Sequence, residues 1–325
     1  MRAILVDRHG GPEVLHLVDG PDPEPGPAEL LVEVAAAGVN YMDTYGREGV
    51  PPYVGPLPWV PGGEGAGRVR AVGAGVVDVA VGDLVAWSGA PGSYAELAVV
   101  PAAVAVPVPD GVAVEVAAAV LLQGMTAHYL CTDTHPVAPG DVTVVHAAAG
   151  GVGLLLTQLV KRRGGTVVAT VSGGPDGEKA ALARAAGADV VSDYDDFGAA
   201  VRAAGDGAGA HVVYDGVGAA TFDASLACLR PRGLLALYGA ASGPVPPFEL
   251  TRLSAGGSLF VTRPTLRSYT ATRDELLARS GELFGLIAAG ELDVRIGATF
   301  PLADARAAHE ALQGRSTTGK VLLLP

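Results

Sequence analysis

The sequence predicts an α/β protein of two domains: a compact barrel-like β domain and a doubly wound parallel sheet. The chain has 325 residues, about twice the typical domain length of ~150 residues. Its first 110 residues consist of short apolar segments cut by Gly- and Pro-rich turns. From Val142 onward, apolar segments alternate with helical patterns in units of roughly 30 residues, which is typical of a parallel sheet covered by helices.

The β domain is predicted from short segments rich in Val, Leu and Ala. They are Arg2–Asp7, Leu30–Ala36, Gly67–Val72, Leu84–Trp87 and Ala95–Val100. Turn clusters such as Gly20–Pro27 and Pro51–Pro56 separate them. Many short strands without a long helix among them are typical of a barrel-like β domain.

Helices and strands alternate in the second half of the chain. A helix is predicted over Glu115–Tyr129, with an interruption at Gln123–Gly124. Beyond it, the predicted strands are Val142–His146, Thr166–Val171, Val190–Val191, Val212–Asp215, Leu234–Tyr238, Ser258–Thr262 and Lys320–Leu324. The predicted helices are Val152–Arg163, Glu178–Ala186, Phe197–Ala203, Thr272–Ala289 and Ala303–Gln313.

Composition and charge narrow the classes of partner and compartment. With 22 Lys and Arg against 34 Asp and Glu, the net charge is −12, which argues against nucleic acid and anionic membrane surfaces. Charges at Arg2 and Asp7 argue against a signal peptide. Val142–Val160 lacks charge over 19 residues, but its His146 and glycines favour strand, turn and helix over a membrane span. Two cysteines and 49% hydrophobic residues predict a folded, cytoplasmic protein.

The strongest functional motif is the glycine-rich turn after the strand predicted at 142–146. Gly150, Gly151 and Gly153 let the backbone approach a pyrophosphate and let the next helix pack on the strand. The helix N-terminus offers free N–H groups to phosphate oxygens. Ala148 replaces the first glycine of the usual dinucleotide fingerprint. A tight strand-to-helix turn without a ligand is the alternative interpretation.

The segment after the next strand indicates which dinucleotide binds. An NAD site places an acid about 20 residues after the glycines, to accept the ribose 2′-OH. This chain instead has Thr170-Val171-Ser172-Gly173-Gly174, with no acid before Asp176. Such small residues leave room for a 2′-phosphate, and Lys179 supplies a positive charge. We therefore expect NADPH as the cofactor. The alternative interpretation of Lys179 is a solvated charge on the surface of a helix.

Eight motifs, in order, span nearly the whole chain. They are His9–Leu15, Gly38–Tyr45, Pro61–Gly67, Gln123–Ala127, the glycine turn, Tyr214–Gly218, Val261–Pro264 and Arg315–Lys320. Together they resemble the zinc-independent medium-chain dehydrogenase/reductase superfamily, closest to the zeta-crystallin-type NADPH:quinone oxidoreductases. The resemblance implies a GroES-like β-barrel catalytic domain of residues 1–121 and 264–325, and a Rossmann NADP(H)-binding domain of residues 122–263. The active site would lie in the cleft between them.

The resemblance also implies an assembly. Such relatives are usually homodimers that pair edge strands of their nucleotide-binding domains. The segment Ser258–Thr262 is apolar and uncharged, and an edge strand of that kind needs to be covered. We therefore expect a homodimer formed through this strand.

Site residues follow from the same resemblance. Asn40, Asp43 and Tyr45 would line the nicotinamide end, with Asn40 donating to the acceptor oxygen and Tyr45 stacking or hydrogen-bonding. For Asp43 and Tyr45 the alternative is loop scaffolding, and for Arg263 it is an interdomain ion pair. The implied cofactor contacts are Tyr41, Gln123, Thr126, Tyr129, Ala149, Gly150, Gly151, Val152, Gly153, Ser172, Gly173, Lys179, Tyr194, Val217, Tyr238, Gly239, Ala240, Ala241, Val261, Arg263 and Arg315. Among these, Tyr194 and Arg315 would contact the 2′-phosphate.

No metal is expected. Zinc-dependent relatives carry Cys where this chain has Asn40 and His where it has Gly63, and they have a Cys-rich lobe that is missing here. Cys131 and Cys228 lie in apolar, helix-like sequence, so we expect them in the core. Without a Lewis acid to stabilise an alkoxide, reduction of a small-molecule quinone is favoured over alcohol oxidation. Two alternatives stay open: an NADPH-dependent enoyl or alkenal double-bond reductase, and a non-enzymatic NADPH-binding protein.

Overall fold

The computed structural model describes residues 1–325 and divides them into two compact units. The first unit comprises Met1–Gln123 and Thr270–Pro325, and the second comprises Gly124–Tyr269. These boundaries lie two and six residues from those expected from the sequence.

Fifteen strands and ten α-helices make up the chain. The strands are β1 (Arg2–Leu5), β2 (His16–Asp19), β3 (Glu29–Val39), β4 (Glu64–Val72), β5 (Leu84–Ser88), β6 (Leu97–Pro101), β7 (Ala105–Pro107), β8 (Val142–Val145), β9 (Thr166–Thr170), β10 (Val190–Ser192), β11 (Ala210–Asp215), β12 (Leu229–Leu237), β13 (Phe260–Thr262), β14 (Ile296–Pro301) and β15 (Lys320–Leu324). The helices are α1 (Tyr41–Glu48), α2 (Val114–Tyr129), α3 (Gly151–Arg162), α4 (Glu178–Ala185), α5 (Phe197–Ala204), α6 (Phe222–Ala227), α7 (Thr251–Ala255), α8 (Leu266–Tyr269), α9 (Arg273–Ala288) and α10 (Ala305–Gln313).

The first unit is built on a seven-stranded sheet with the order β14-β15-β3-β4-β5-β7, in which β6 also pairs with β3. All of these pairs are antiparallel except β14 with β15. The long strand β3 alternates buried apolar residues such as Leu30 and Val32 with more exposed ones, the period-2 pattern of a sheet with one buried face. The core of this unit also contains the fully buried rings of Trp87 and Tyr94.

The second unit is built on a six-stranded sheet with the order β10-β9-β8-β11-β12-β13. Every pair in it is parallel. This is the doubly wound arrangement, in which the strand order reverses beside the first strand. Because parallel strands all run the same way, their carboxyl ends meet at one edge of the sheet. The predicted doubly wound sheet is confirmed, and β13 is an edge strand.

Two helical segments differ from the sequence-based expectation. The helix predicted to break at Gln123–Gly124 continues through both residues, because Gly124 is buried inside α2 and does not end it. The segment around Asn40–Tyr45, for which no helix was predicted, contains the helix α1. Its signal was a capping box, Asn40 with Asp43 three residues later, which the turn-rich surroundings obscured.

One helical stretch, Val114–Thr134, is long and apolar enough to cross a membrane by length and composition alone. Within its most apolar window, 67% is buried inside the protein, as expected for the core helix of a globular protein. The uncharged stretch 142–160 is β8, a turn and most of α3. The prediction of strand, turn and helix there is confirmed.

Candidate active site

Most of the predicted cofactor residues of the second unit lie at one edge of its sheet. Five of the predicted positions follow the carboxyl end of a strand: the glycine turn follows β8, Ser172 follows β9, Tyr194 follows β10, Val217 follows β11 and Tyr238 follows β12. Ligands of open parallel sheets bind at this edge, next to the point where the strand order reverses. That point lies here between β8 and β11, which are neighbours in the sheet.

The glycine turn brings α3 close to β8. Ala147 adopts a positive φ of 51°, and Gly150 caps α3 in an extended conformation. A Cβ at residue 153 would lie 2.4 Å from the carbonyl oxygen of Ala147 and 2.6 Å from Cα of Ala148. Only glycine fits there, and its absence of a side chain allows the close helix–strand packing of a phosphate-binding turn. The N–H groups of the first turn, at Gly151 and Val152, have no helical carbonyl to bond.

The turn after β9 carries the predicted 2′-phosphate residues. Lys179, in the first turn of α4, donates a hydrogen bond of 2.8 Å from Nζ to Oγ of Ser172. Gly173 and Gly174 both have positive φ and open space around them. The ring of Tyr194 lies 5.9 Å from that of His146, which places it near the end of β8. An ammonium, a hydroxyl and open glycines fit a phosphate monoester.

Asp215, at the end of β11, organises the next part of this edge. Its fully buried carboxylate accepts hydrogen bonds from the N–H groups of Val217 (2.7 Å) and Gly218 (2.9 Å) and from the hydroxyl of Thr221 (2.7 Å). Ser225 bridges it to His146. Burial lowers the pKa of His146 to about 4, so this imidazole is neutral.

The segments after β11 and β12 are hydrogen-bonded to each other. The N–H groups of Tyr238 and Gly239 donate to the carbonyl of Asp215. A Cβ at Gly239 would lie 2.4 Å from the carbonyl oxygen of Gly216, so glycine is required there too. Ala240 and Ala241 complete this turn, and the N–H of Ala241 donates to Gly216.

Arg263 reaches the same edge from the end of β13. It follows Val261 by two residues, and its Nη1 donates to the carbonyl of Leu237 at 3.0 Å. Thr126 and Tyr129 lie on α2, and the buried Tyr129 ring stacks on Tyr269 with 4.2 Å between ring centres. Their assignment to the cofactor, like that of the other residues of this edge, stays a prediction.

In the first unit, the side chain of Asn40 is hydrogen-bonded to two buried charged residues, Lys320 and Glu64. Its Oδ1 accepts from Nζ of Lys320 at 2.7 Å, and its Nδ2 donates to Oε2 of Glu64 at 2.9 Å and to the carbonyl of Gly38 at 3.3 Å. Lys320 also donates to Glu64 at 2.5 Å, and both are at most 1% exposed. The amide hydrogens of Asn40 are therefore engaged inside the protein, which gives this residue a structural task besides its predicted role as donor to the acceptor.

Asp43 is the N3 residue of the capping box of α1. Its Oδ2 accepts from the backbone N–H of Asn40 at 2.8 Å and from the hydroxyl of Tyr94 at 3.1 Å. Burial raises its pKa to about 7, opposed by the hydrogen bond from Asn40 and the charge of Lys320. Asp43 is thus close to balance between its two protonation states at neutral pH.

Two further buried groups extend this network. Nε2 of His309 lies 3.1 Å from the hydroxyl of Tyr94, and its Nδ1 lies 3.0 Å from Nη1 of Arg47. Burial and the charge of Arg47 lower the pKa of His309 to about 3. Arg47 is fully buried and also donates to Gly10, Glu48 and Gln313.

An aromatic group lies on and beside α1. The ring of Tyr45 lies 6.4 Å from that of Tyr41 and 5.3 Å from that of Tyr53. The hydroxyl of Tyr41 donates to the carbonyl of Leu312, and burial raises its pKa while the charge of Arg315 opposes the rise. Met42 is 40% exposed in the same helix. The rings are tilted by 38° between Tyr41 and Tyr45 and by 45° between Tyr45 and Tyr53, and together they form an aromatic cluster beside α1.

Gln123 offers an acceptor to a ligand. Its Oε1 is buried and has no hydrogen-bond partner in the structure. A buried acceptor of this kind is normally satisfied by a protein group, water or a ligand. The carboxamide N–H of a nicotinamide is a donor of the required type, in keeping with the predicted contact.

Four residues of this region escaped the sequence-based prediction: Glu64, Tyr94, His309 and Lys320. Glu64 lies within the quoted motif Pro61–Gly67, and Lys320 ends the last one. A buried Lys at the start of an apolar strand is unusual unless it is paired, and this was the available signal. Nothing in the sequence around Tyr94 or His309 indicates that they meet.

The donor atoms around Asn40 do not fit a zinc ion. The ammonium of Lys320 and the amide of Asn40 stand beside the carboxylate of Glu64, whereas zinc in proteins prefers thiolate and imidazole ligands. No group of three or more His, Cys, Asp or Glu side chains is arranged to hold a metal. Cys131 and Cys228 are both buried and free, as predicted for core residues.

Two family models match the chain. One, described as zinc-binding dehydrogenase, matches residues 151–277. The other, described as alcohol dehydrogenase GroES-like domain, matches residues 26–110. The two matches fall mainly on the second and the first unit, respectively.

Similar proteins match over almost their entire length. A quinone oxidoreductase of Pseudomonas aeruginosa is 47% identical over 320 residues, which cover 98% of this chain and 97% of the relative. A 2-haloacrylate reductase of a Burkholderia species is 40% identical over 331 residues, covering 99% and 98%. A mycobacterial protein whose structure was solved in complex with NADPH is 50% identical, with a TM-score of 0.96 and full coverage of both chains.

Proposed function

The chain belongs to the medium-chain dehydrogenase/reductase superfamily, in its quinone oxidoreductase branch, and on that premise we propose that it reduces small quinones with NADPH and without zinc. The main observation in support of the proposal is the side-chain amide of Asn40, which hydrogen bonds hold in a fixed position. Lys320 and Glu64 hold it where zinc-dependent relatives have a metal ligand. A site without a Lewis acid suits an electron-poor acceptor, because no alkoxide has to be stabilised.

The cofactor assignment is supported by the carboxyl edge of the second unit. Gly150, Gly151 and Gly153 would hold the pyrophosphate against the first turn of α3, and Lys179 with Ser172 would hold the 2′-phosphate. Gln123 supplies the buried acceptor for a carboxamide. When bound, NADPH supplies a hydride from its nicotinamide ring.

The acceptor is proposed to lie against α1. Tyr45 and Tyr53 present adjacent rings, and aromatic faces stack well on the flat ring of a quinone. Asn40 and Asp43 fix the first turn of this helix through the capping box. Two-electron reduction of a quinone by hydride also consumes one proton, which we assign to solvent water because Asp43 is buried and already accepts two hydrogen bonds.

The proposal includes a homodimer in the cytoplasm. The edge strand β13 carries Phe260, which is 58% exposed. An exposed apolar edge is a template for pairing with another strand, and a second copy of the chain would supply one. The cytoplasmic assignment is supported by the two free cysteines.

A second candidate function is reduction of activated carbon–carbon double bonds. It is favoured by the similarity to a 2-haloacrylate reductase, and a conjugated alkene, like a quinone, accepts hydride without a metal. Steady-state assays with 1,4-benzoquinone, 9,10-phenanthrenequinone, an enone series and 2-chloroacrylate separate the two. The proposal predicts turnover of the quinones; turnover of alkenes alone would assign the second function. Cofactor binding with no NADPH oxidation by any acceptor would indicate the non-enzymatic alternative.

A further inference from the structure

We propose that Tyr94 and His309 are positioning residues: they fix Asp43 as a hydrogen-bond acceptor and thereby hold the first turn of α1 in the conformation used for turnover. The inference rests on the proposed function, because α1 carries Tyr45, which is proposed to contact the acceptor, and Tyr41, an expected cofactor contact. None of the motifs that carried the functional prediction includes Tyr94 or His309. Both are fully buried.

The direction of the hydrogen bonds follows from Arg47. A guanidinium has only donors, so Nδ1 of His309, 3.0 Å away, must be the acceptor. The ring is neutral because its pKa is lowered, so its one proton is on Nε2 and is donated to the hydroxyl oxygen of Tyr94. The hydroxyl hydrogen of Tyr94 is then directed to Oδ2 of Asp43.

This ordered chain joins three separate parts of the first unit. Arg47 and Asp43 lie at the two ends of α1, His309 lies on α10, and Tyr94 lies between β5 and β6. The chain therefore ties both ends of an eight-residue helix to the core. Its termination at Arg47, which does not release a proton at physiological pH, means that it holds the helix and does not conduct protons.

The network keeps its form only while Asp43 is ionised. The charged groups that face Asp43 are Lys320, which favours the anion, and Glu64, which disfavours it, while the hydroxyl of Tyr94 stabilises the anion by its hydrogen bond. A protonated carboxyl group accepts less strongly and would release the capping box. Removal of the Tyr94 hydroxyl therefore shifts the titration of Asp43 to higher pH.

The kinetic test compares the acid limb of the pH profile of kcat for quinone reduction, at saturating NADPH, in wild type and four variants. Tyr94→Phe and His309→Leu break the chain. His309→Gln keeps one acceptor and one donor, and Tyr214→Phe removes a buried hydroxyl that has no partner. We expect the limb to move up by about one pH unit in Tyr94→Phe, by less in His309→Leu, which keeps the Tyr94 hydroxyl, and to stay with wild type in the other two. Coincident limbs for Tyr94→Phe and Tyr214→Phe would overturn the proposal.

A second readout does not depend on turnover, so it also applies if the proposed function fails. The Tm of Tyr94→Phe, relative to that of Tyr214→Phe, is measured between pH 5.5 and 8.5. The lost hydrogen bond matters most when Asp43 is ionised, so the deficit in Tm grows with pH; a deficit that does not change with pH contradicts the proposal. If Tyr94→Phe does not fold, the Tm of His309→Leu is compared with that of His309→Gln over the same pH range, and the same criterion applies. Both of these variants lack the imidazole.

Discussion

Nζ of Lys179 lies 2.8 Å from Oγ of Ser172, which places an ammonium beside the turn that follows β9. A hydrogen bond to a charged group contributes about 1.5–3 kcal/mol, and 1.4 kcal/mol is a factor of ten in binding. For Lys179→Ala we therefore expect kcat/KM for NADPH to fall about tenfold, while the value for NADH stays nearly unchanged. Adding Arg315→Ala should further reduce the preference for NADPH over NADH.

Lys161→Ala is the matched control for this prediction. Lys161 forms an ion pair with Asp189 near the C-terminus of α3, so its removal should leave the ratio of NADPH to NADH activity as in wild type. Equal activity of the unmodified protein with NADH and NADPH would refute the 2′-phosphate assignment.

Gly153 is predicted to be indispensable for the cofactor turn. In Gly153→Ala the new Cβ meets backbone atoms of Ala147 and Ala148, so α3 has to move away from β8. We expect NADPH binding, measured by fluorescence titration, to weaken by about tenfold or more. Gly281→Ala in α9 has open space for its Cβ and should be neutral or slightly stabilising. Wild-type affinity in Gly153→Ala would show that the turn does not hold the cofactor.

Variants of the Lys320–Glu64 pair can separate the effect of positioning Asn40 on kcat from the effect of the ion pair on the stability of the protein. Lys320→Met leaves the buried carboxylate of Glu64 without its cation, and breaking a buried pair in this way costs about 3–5 kcal/mol. In Lys320→Met/Glu64→Gln the charge is removed but an acceptor for the N–H of Leu122 remains. We expect urea unfolding to show recovered stability in the double variant, with kcat still reduced because Asn40 has lost Lys320.

The exposed pair Arg70–Glu33 provides the comparison. Its side chains are more than half exposed, so Arg70→Met/Glu33→Gln should change stability by less than about 1 kcal/mol and leave kcat unchanged. Full activity of Lys320→Met/Glu64→Gln would argue against a role for the locked Asn40 amide.

The buried His146 predicts a pH dependence of stability. The native state keeps it neutral, with a pKa of about 4, whereas in the unfolded chain the imidazole takes up a proton below about pH 6.5. Stability is therefore lost as the pH falls from 6.5 towards 4, by about 3 kcal/mol for this group. The lowered pKa of His309 also reduces stability as the pH falls. The raised pKa of Asp43 has the opposite effect on stability.

Comparison of wild type with His146→Asn isolates this contribution, because His309 and Asp43 are present in both. We expect the free energy of unfolding to fall less steeply between pH 6.5 and 4.5 in the variant, as measured by urea denaturation. Parallel pH curves would show that folding does not lower the pKa of His146.

Phe260 is predicted to lie in a dimer interface at β13. Phe260→Lys puts a charge on the edge strand, which native proteins use to block pairing. We expect light scattering to give the mass of two chains for wild type and of one chain for the variant. Leu250→Lys changes a residue that is 73% exposed outside the strands and should remain dimeric. A wild-type monomer at micromolar concentration would refute the assembly.

Much of the second unit could be predicted from the sequence, because its signals are local. The strand predicted at Val142–His146 is β8, one residue shorter, and the helix predicted at Val152–Arg163 is α3, shifted by one residue. Apolar runs of strand length followed by glycine and then by a helical pattern specify both elements without distant contacts. In the first unit, the terminal strand Lys320–Leu324 was likewise predicted with the bounds that the structure shows.

The polar network of the first unit could not be predicted, because its partners are distant in the chain. Lys320 and Asn40 are 280 residues apart, and Tyr94 and His309 are 215 apart. Such pairs depend on how β15, β3 and α10 pack, which local patterns do not encode. The same contacts engage the amide hydrogens of Asn40, whose role as donor to the acceptor stays a prediction.

Zinc-independent reduction of quinones by NADPH is tested most directly by one measurement: kcat/KM of the EDTA-treated protein for 9,10-phenanthrenequinone, with NADPH and with NADH as donors. We predict quinone turnover that EDTA does not reduce, and a value for NADPH at least about tenfold higher than that for NADH. Loss of quinone turnover on EDTA treatment would contradict zinc-independence, and absence of turnover with both donors would contradict quinone reduction.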